Sequence, residues 1–190
     1  AGIVAAEANN ATGLAGVAPN ALIMPLKASA GPFFTSEDWL EALQYAVANG
    51  ARVVNMSFAG PDASPVEQSA LEAAHAAGVV LVAAAGNDSS SSVFYPAAYD
   101  HVIAVGAINE SGNRASFSNY GAGLDVVAPG DLIISCTPEY LRSFFGDSYA
   151  YFSGTSMATP MVAGVAALCL GVLPALSSQS VETILSSSAV

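Results

Sequence analysis

The chain has 190 residues, of which 53% are apolar and 10% charged, and its formal net charge is −11. This profile is typical of one well-buried α/β domain and excludes an intrinsically disordered chain. Four basic residues make no phosphate-binding patch, so nucleic acid is not an expected partner. No spacing of Cys and His suggests zinc, and the spacing of Cys136 and Cys169 leaves open whether they pair.

Short apolar runs alternate with helical patterns along the chain. Residues 1–8 are typical of the end of a helix, and later helices are predicted from Thr35 to Gly50, from Ser64 to residue 77 and over 178–187. Capping boxes are predicted at Thr35 with Asp38 and at Ser64 with Glu67. Strands are predicted over 21–27, 52–58, 79–84, 102–107, 124–128 and 132–136. This alternation predicts a three-layer α/β fold, a mostly parallel central sheet with helices on both faces.

A long uncharged segment begins at Gly154, and its small residues favour a helix buried on every side. Ser156 lies at its first turn, where backbone N–H groups and the helix dipole suit a nucleophile whose reaction develops negative charge nearby. Helix N-capping would equally explain Thr155 or Ser156. A membrane span is disfavoured because Pro160 and Gly164 interrupt the run and no Lys or Arg flanks it, so no membrane partner is expected.

The predicted strand over 79–84 leads directly into Gly86 and Asn87. Ligands of open α/β sheets bind beyond the carboxyl ends of the strands, so Asn87 lies where chemistry would take place. A Gly-Asn pair is also ordinary turn chemistry. Asn87 is therefore a candidate site residue that the pattern alone does not decide.

The run Gly-Thr-Ser-Met-Ala-Thr-Pro at 154–160 resembles the serine motif of the subtilisin-like serine proteases, the subtilases. Met161 is a departure, because the family usually has histidine there. Further matches follow the family's order: Ala-Ala-Gly-Asn at 84–87, Tyr-Pro-Ala at 95–97, Val-Ile-Ala-Val-Gly-Ala at 102–107, Ala-Ser-Phe-Ser at 115–118 and Asp-Val-Val-Ala-Pro-Gly at 125–130. The resemblance therefore covers essentially the whole chain and implies a subtilisin-like fold.

The resemblance implies a serine endopeptidase that forms an acyl-enzyme on Ser156 while Asn87 donates its side-chain N–H to the oxyanion. Polypeptide is the implied substrate, bound by strand addition. Ala59 replaces a usual glycine, which is expected to narrow the substrate pocket. The implied substrate-binding residues are Ser57, Phe58, Ala59, Gly60, Ala84, Ala85 and Gly86.

Ala1 and Gly2 match only the last two residues of the family's histidine motif, His-Gly-Thr-His-Val-Ala-Gly. The catalytic histidine and aspartate are therefore expected upstream of residue 1. Residues 1–190 are expected to be a single, N-terminally incomplete peptidase domain that lacks its first strands and is inactive by itself. His75, late in a helix, and His101, in a loop, belong to no motif. Exposed apolar surface and a free sheet edge predict that the isolated chain is poorly stable or self-associates.

The resemblance also implies structural calcium, a hard cation that prefers oxygen ligands. One incomplete site is implied at Asn10, Thr12 and Leu14, and a weaker carbonyl-lined cation site at Ala97, Tyr99 and Val102. Secretion and a propeptide in the parent protein are further implications of the family.

Other function classes fit the sequence less well. A catalytically inactive subtilase-like module that binds peptides or a partner protein remains the alternative to a protease. An α/β-hydrolase esterase needs Gly-x-Ser-x-Gly, whereas Ala158 follows Ser156 at the second position. No GxGxxG or P-loop supports nucleotide binding.

Overall fold

The computed structural model describes residues 1–29, 31 and 34–189. Four parallel strands form its central sheet, in the spatial order in which they follow along the chain. Val53 pairs with Val80, Leu81 with Val102, and Val105 with Val126. The strands are β1 Val53–Met56, β2 Val80–Ala84, β3 Val102–Ile108 and β4 Val126–Pro129. A separate antiparallel pair is formed by β5 Ile133–Cys136 and β6 Tyr149–Phe152.

Within the part of the chain that the structure describes, six α-helices accompany the strands, and a short 3₁₀ turn covers Glu139–Leu141. The helices are α1 Gly2–Ala5, α2 Ser36–Ala48, α3 Pro65–Ala76, α4 Arg142–Phe145, α5 Thr155–Val172 and α6 Ser178–Ser188. The sequence did not predict α4 or β6. Both cysteines are free.

The sheet separates two apolar cores. Leu81 and Ala83 of β2 face the core that α2 and α3 cover, whereas Val80 and Val82 face the core that α5 and α6 cover. Every residue of β2 is buried, which accounts for its continuous apolar run. The predicted α/β architecture, with helices on both faces of a parallel sheet, is confirmed.

The two predicted capping boxes have different outcomes. At α2, the Thr35 hydroxyl accepts a bond from the Asp38 N–H at 3.3 Å, and Asp38 accepts from the Thr35 N–H at 2.7 Å. The bond from the Thr35 backbone lowers the pKa of the Asp38 carboxyl. At α3 the prediction is wrong, since the Ser64 side chain makes no cap bond. Glu67 is buried instead and accepts a bond from the Tyr99 hydroxyl at 2.7 Å.

The strand predicted over residues 21–27 is not formed. The segment has no regular structure, and Leu22 is 99% exposed. An open cavity of about 1000 Å³ is lined by this segment, α2, β1 and α5. A buried strand needs backbone partners along its edge, and within the described residues this segment pairs with no strand. β1 is consequently an outer strand of the four-stranded sheet.

Helix α5 crosses the sheet and contacts all four of its strands. By length and composition it is also able to cross a membrane, but half of it is buried inside the protein. The prediction of burial on every side is wrong, because Val165 and Leu168 lie on an exposed side. Gly164 allows the chain after α1 to approach closely, since a Cβ there would lie 2.7 Å from the Val17 Cβ.

Candidate active site

Ser156 lies at the start of α5, beside the carboxyl end of β1. Its Oγ donates to the Ser57 carbonyl at 3.0 Å, and the Ser57 Oγ donates to the Ser156 carbonyl at 2.9 Å. These reciprocal bonds fasten the first turn of the helix to the chain that leaves the strand. Gly154 occupies the N-cap position, so neither Thr155 nor Ser156 is the N-cap residue of α5. The N-cap interpretation of Ser156 is therefore wrong, and its hydroxyl lies at the ligand-binding edge of the sheet.

Asn87 follows β2 at the same edge, and Thr155 fixes the orientation of its amide. The Asn87 Oδ1 accepts from the Thr155 N–H at 2.8 Å and from the Thr155 Oγ1 at 2.9 Å. A backbone N–H can only donate, so the atom that faces it must be the amide oxygen. The Asn87 Nδ2 has no acceptor among the described residues, and it remains available as a donor beside Ser156.

The loop that carries Asn87 rests on Asn119, which is fully buried. Asn119 accepts from the backbone N–H groups of Asp88 and Ser90 at 2.9 and 3.0 Å, and donates to the Ala85 carbonyl at 3.1 Å. Gly86 has a φ of +108°, and a Cβ there would lie 2.3 Å from the Asn119 Nδ2. Both the conformation and the space require glycine at this position.

A cavity of about 150 Å³ opens beside Ser156. Ala59, Ala84 and Gly86, three of the predicted substrate-binding residues, line it. Phe94 and Asp88 also line it, and neither was a predicted site residue. The cavity can hold a small group next to the hydroxyl and the free amide donor.

The other predicted substrate-binding residues do not line the cavity, and their contacts support the residues that do. Gly60 pairs with Tyr95 in an antiparallel bridge, with both N···O distances at 2.8 Å, and this bridge joins the chain after β1 to the chain after β2. Phe58 packs its ring against Trp39, with the centroids 5.6 Å apart. Ala85 is completely buried and stands in the sequence between Ala84 and Gly86, which line the cavity. Ser57 holds Ser156 through the reciprocal bonds.

The sequence analysis missed two residues that position the site, Thr155 and Asn119. Thr155 is part of the serine motif, but its bond to Asn87 joins segments 68 positions apart. Asn119 directly follows the Ala-Ser-Phe-Ser match, and its burial could not be deduced from a polar residue next to a turn. The only signal in the sequence was that Thr155 belongs to a recognised motif and that Asn119 directly follows one.

Both histidines lie away from Ser156. His101 directly precedes β3, whereas Asn87 follows the end of the adjacent β2. A strand of seven residues, as β3 is, spans roughly 20 Å. His75 stacks on His101 and belongs to the same, amino-terminal edge of the sheet. Among the described residues, neither histidine is placed to accept the Ser156 proton.

The implied cation sites consist of neutral oxygen ligands. The Asn10 Oδ1 accepts a bond from the Thr12 N–H at 3.0 Å, and both residues are exposed, whereas Leu14 is half-buried. Calcium takes six to eight oxygen ligands, so these three residues fit it in atom type but fill only part of its shell. At the second site, the Tyr99 carbonyl accepts from the Val102 N–H at 3.3 Å.

Comparison with known proteins gives one consistent result. The profile of the Subtilase family matches residues 1–190. A thermophilic serine proteinase of Bacillus sp. (strain AK1) is 48% identical over 169 residues, which are 88% of this chain and 40% of the relative. Subtilisin DY of Bacillus licheniformis is 44% identical over 194 residues, which cover 100% of this chain and 68% of the relative.

The fold agrees with that of solved proteases. A protease from Pseudoalteromonas arctica superposes with a TM-score of 0.90 at 34% identity, over 98% of this chain and 61% of that one. A cold-adapted subtilisin-like serine proteinase superposes with a TM-score of 0.74 at 33% identity, over 84% of this chain and 56% of that one. The chain thus spans about two fifths to two thirds of the length of these proteins.

Proposed function

This chain belongs to the subtilase family of serine proteases, and we propose that it carries the nucleophile, the oxyanion donors and the substrate pocket of a serine endopeptidase. The observation that carries the proposal is the joint arrangement of Ser156 and Asn87. Both lie at one cavity, and hydrogen bonds from Ser57 and Thr155 hold them in place. Polypeptide is the proposed substrate.

In the proposed reaction, the Ser156 Oγ attacks the carbonyl carbon of the scissile peptide bond and gives its proton to a base. The oxyanion that forms receives hydrogen bonds from the Asn87 Nδ2 and from the Ser156 backbone N–H, a first-turn donor without a helical acceptor. The C–N bond then breaks, the amine leaves with a proton, and the acyl group stays on Ser156. Water hydrolyses this ester and regenerates the hydroxyl.

The base and its orienting carboxylate come, in this proposal, from residues outside 1–190. Support comes from the positions of the only two histidines of the sequence, which lie at the opposite edge of the sheet. In addition, the Ser156 hydroxyl donates to a backbone carbonyl rather than to a base. Residues 1–190 alone are therefore proposed to be inactive, since the members of a catalytic triad act as a unit.

A second candidate function is peptide binding without hydrolysis. The same hydrogen bond from Ser156 to the Ser57 carbonyl favours it, because a hydroxyl held in this way is not activated. The cavity and the outer strands would then serve as a docking groove for an extended peptide. The two candidates differ in whether bound peptide is cleaved.

Peptide hydrolysis by the longest natural form of the protein tests the proposal, with residues 1–190 assayed in parallel. We expect cleavage by the longer form and none by residues 1–190. Ser156→Ala should abolish cleavage, whereas Ser111→Ala, a change at an exposed serine that does not line the cavity, should leave it unchanged. Peptide binding without cleavage by the longest form would support the second candidate.

We further propose calcium as a structural ligand at Asn10, Thr12 and Leu14, with a weaker cation at the carbonyls of Ala97, Tyr99 and Val102. Oxygen ligands in a turn support this proposal. Calcium should raise the unfolding temperature, and Asn10→Ala should remove most of that increase. Secretion and maturation from a propeptide are proposed from the family alone; N-terminal sequencing of the secreted protein would test both.

A further inference from the structure

Both histidines of the chain meet one glutamate at the amino-terminal edge of the sheet. His75 lies in the last turn of α3, His101 in the turn before β3, and Glu182 in α6. One ligand atom from each of the three side chains lies within 4.8 Å of the others. Three elements that are distant in sequence therefore bring two imidazoles and one carboxylate to a single point.

The contacts within this cluster leave polar atoms without partners. The His75 Nε2 lies 3.1 Å from the Glu182 Oε1. Both atoms are shielded from solvent, and although they lie within ion-pair distance, they form no hydrogen bond with each other or with any other described residue. The rings of His75 and His101 stack with centroids 4.2 Å apart and planes 8° from parallel. Buried polar atoms without partners are costly unless another ligand satisfies them.

An ion pair does not account well for the cluster, because the His75 Nε2 and the Glu182 Oε1 lie 3.1 Å apart without forming a hydrogen bond. Burial, together with the neighbouring His101, lowers the pKa of His75 and so favours its neutral form. Burial raises the pKa of Glu182; His101 opposes this shift and Asp125 adds to it. A divalent cation would compensate the carboxylates of Glu182 and Asp125 and would bind neutral imidazole directly.

We propose that His75, His101 and Glu182 form a zinc site, with water as the fourth ligand. Two imidazoles and a carboxylate are a ligand set that zinc takes. Tetrahedral zinc at its usual bond lengths separates ligand atoms by about 3.3 Å. The His75–Glu182 distance of 3.1 Å already matches this value. His101 is exposed, so its ring can turn to complete the site.

The site holds the last helix to the body of the protein. Val181 and Leu185 of α6 contribute to the core on one face of the sheet, and Glu182 joins the same helix to α3 and to the turn before β3. This zinc site goes beyond the proposed peptidase activity, and it differs from the carbonyl-lined cation site at Ala97, Tyr99 and Val102 in using side-chain nitrogen ligands.

The test variants each remove one proposed zinc ligand with little change to the local structure. His101 has a φ of +64°, a left-handed conformation that asparagine tolerates well, so His101→Asn removes a ligand and keeps the turn. Glu182→Gln keeps the size of the side chain and removes its charge. Glu72→Gln is the matched control, because Glu72 is an exposed glutamate of α3 that bonds to Gln68.

Zinc is titrated into the longest natural form of the protein in the presence of a chromophoric chelator that competes for the metal. Cys136 and Cys169 are replaced by serine in the parent and in all variants. We expect one zinc ion per chain. Binding should be at least about 10-fold weaker in His101→Asn and Glu182→Gln, because even the loss of a residue that only hydrogen-bonds to a zinc ligand costs that much. Glu72→Gln should bind as the parent does, and zinc should raise the unfolding temperature of the parent and of this control only. Absence of stoichiometric zinc, or equal affinity in all variants, would overturn the site. Circular dichroism verifies that each variant is folded.

Discussion

The two edges of the parallel sheet assemble polar groups by different means. At the carboxyl edge, Ser156 and Asn87 are neutral; Ser156 exchanges hydrogen bonds with Ser57, and Asn87 accepts them from Thr155. At the amino edge, His75, His101 and Glu182 are ionisable, and two of their buried atoms lack hydrogen-bond partners. A neutral site that keeps one free N–H donor suits chemistry that develops negative charge later, whereas an unsatisfied ionisable cluster suits a bound cation.

The comparison also separates reaction from stability. Parallel strands direct their carboxyl ends to one edge, where the loops place reactive groups. The opposite edge is then available for contacts that join helices to each other, such as that between Glu182 of α6 and His75 of α3. Substitutions at the carboxyl edge should therefore change the rate of peptide hydrolysis, whereas substitutions at the amino edge should change the stability of the fold.

The largest expected effect is that of Ser156→Ala on peptide hydrolysis by the longest natural form. We expect a loss of about 10⁶-fold in kcat, the size measured for the nucleophile of subtilisin, itself a member of this family. The combined His75→Gln and His101→Asn variant should keep hydrolysis within about twofold of the parent, provided that it is folded at the assay temperature. Loss of hydrolysis in the folded double variant would mean that the amino edge takes part in the chemistry.

The next effect concerns the oxyanion donor. Asn87→Ala should lower kcat by about 10² to 10³ with little change in KM, a magnitude carried over from subtilisin. Thr155→Val should have a smaller effect in the same direction, because the Thr155 N–H still holds the Asn87 Oδ1 when the hydroxyl is lost. Equal kcat in Asn87→Ala and the parent would contradict the assignment of Asn87.

A smaller effect is expected on stability near the amino edge. Tyr99→Phe removes the hydroxyl that donates to buried Glu67, which should lower the free energy of unfolding by about 1 to 3 kcal/mol. Tyr45→Phe is the control, because Tyr45 is 55% exposed. Urea unfolding of both variants measures the difference. Equal midpoints for both would show that the bond to Glu67 contributes nothing.

The smallest expected effect is on the stability of the fold at alkaline pH. Burial raises the pKa of Tyr99 from 10.0 to about 12. The folded state thus holds the phenol proton more tightly than the unfolded state does. The corresponding stability is complete below pH 10 and is lost as pH rises through about 12. Unfolding midpoints measured across this range should fall more steeply for the parent than for Tyr99→Phe, and parallel curves would refute the shift.

The carboxyl edge was predictable because its residues stand in contiguous runs. Ser156 and Asn87 each lie in a motif of several fixed residues, and the apolar strands before Asn87 placed it at the right edge. The orienting role of Thr155 was not predictable, since it depends on a contact between segments that are distant in sequence. Asn119 was missed for the same reason.

The errors have physical causes of the same kind. Residues 21–27 have the composition of a strand, but a strand also needs a paired neighbour, and the described residues provide none. Glu67 stands at the right spacing for a capping box, yet its carboxylate bonds to Tyr99 in the tertiary structure instead. The histidine cluster could not be foreseen, because His75, His101 and Glu182 meet only after α3, the turn before β3 and α6 have packed together.

Labelling with a fluorophosphonate tests the central claim most directly. An activated serine Oγ displaces fluoride from phosphorus and keeps the phosphonyl group, and peptide mass spectrometry locates the adduct. We predict that the longest natural form is labelled at Ser156 alone, with concurrent loss of peptide hydrolysis, and that Asn87→Ala is labelled more slowly. Complete inhibition with the adduct on another residue, or persistent hydrolysis after Ser156 is fully labelled, would contradict the assignment of Ser156 as the nucleophile.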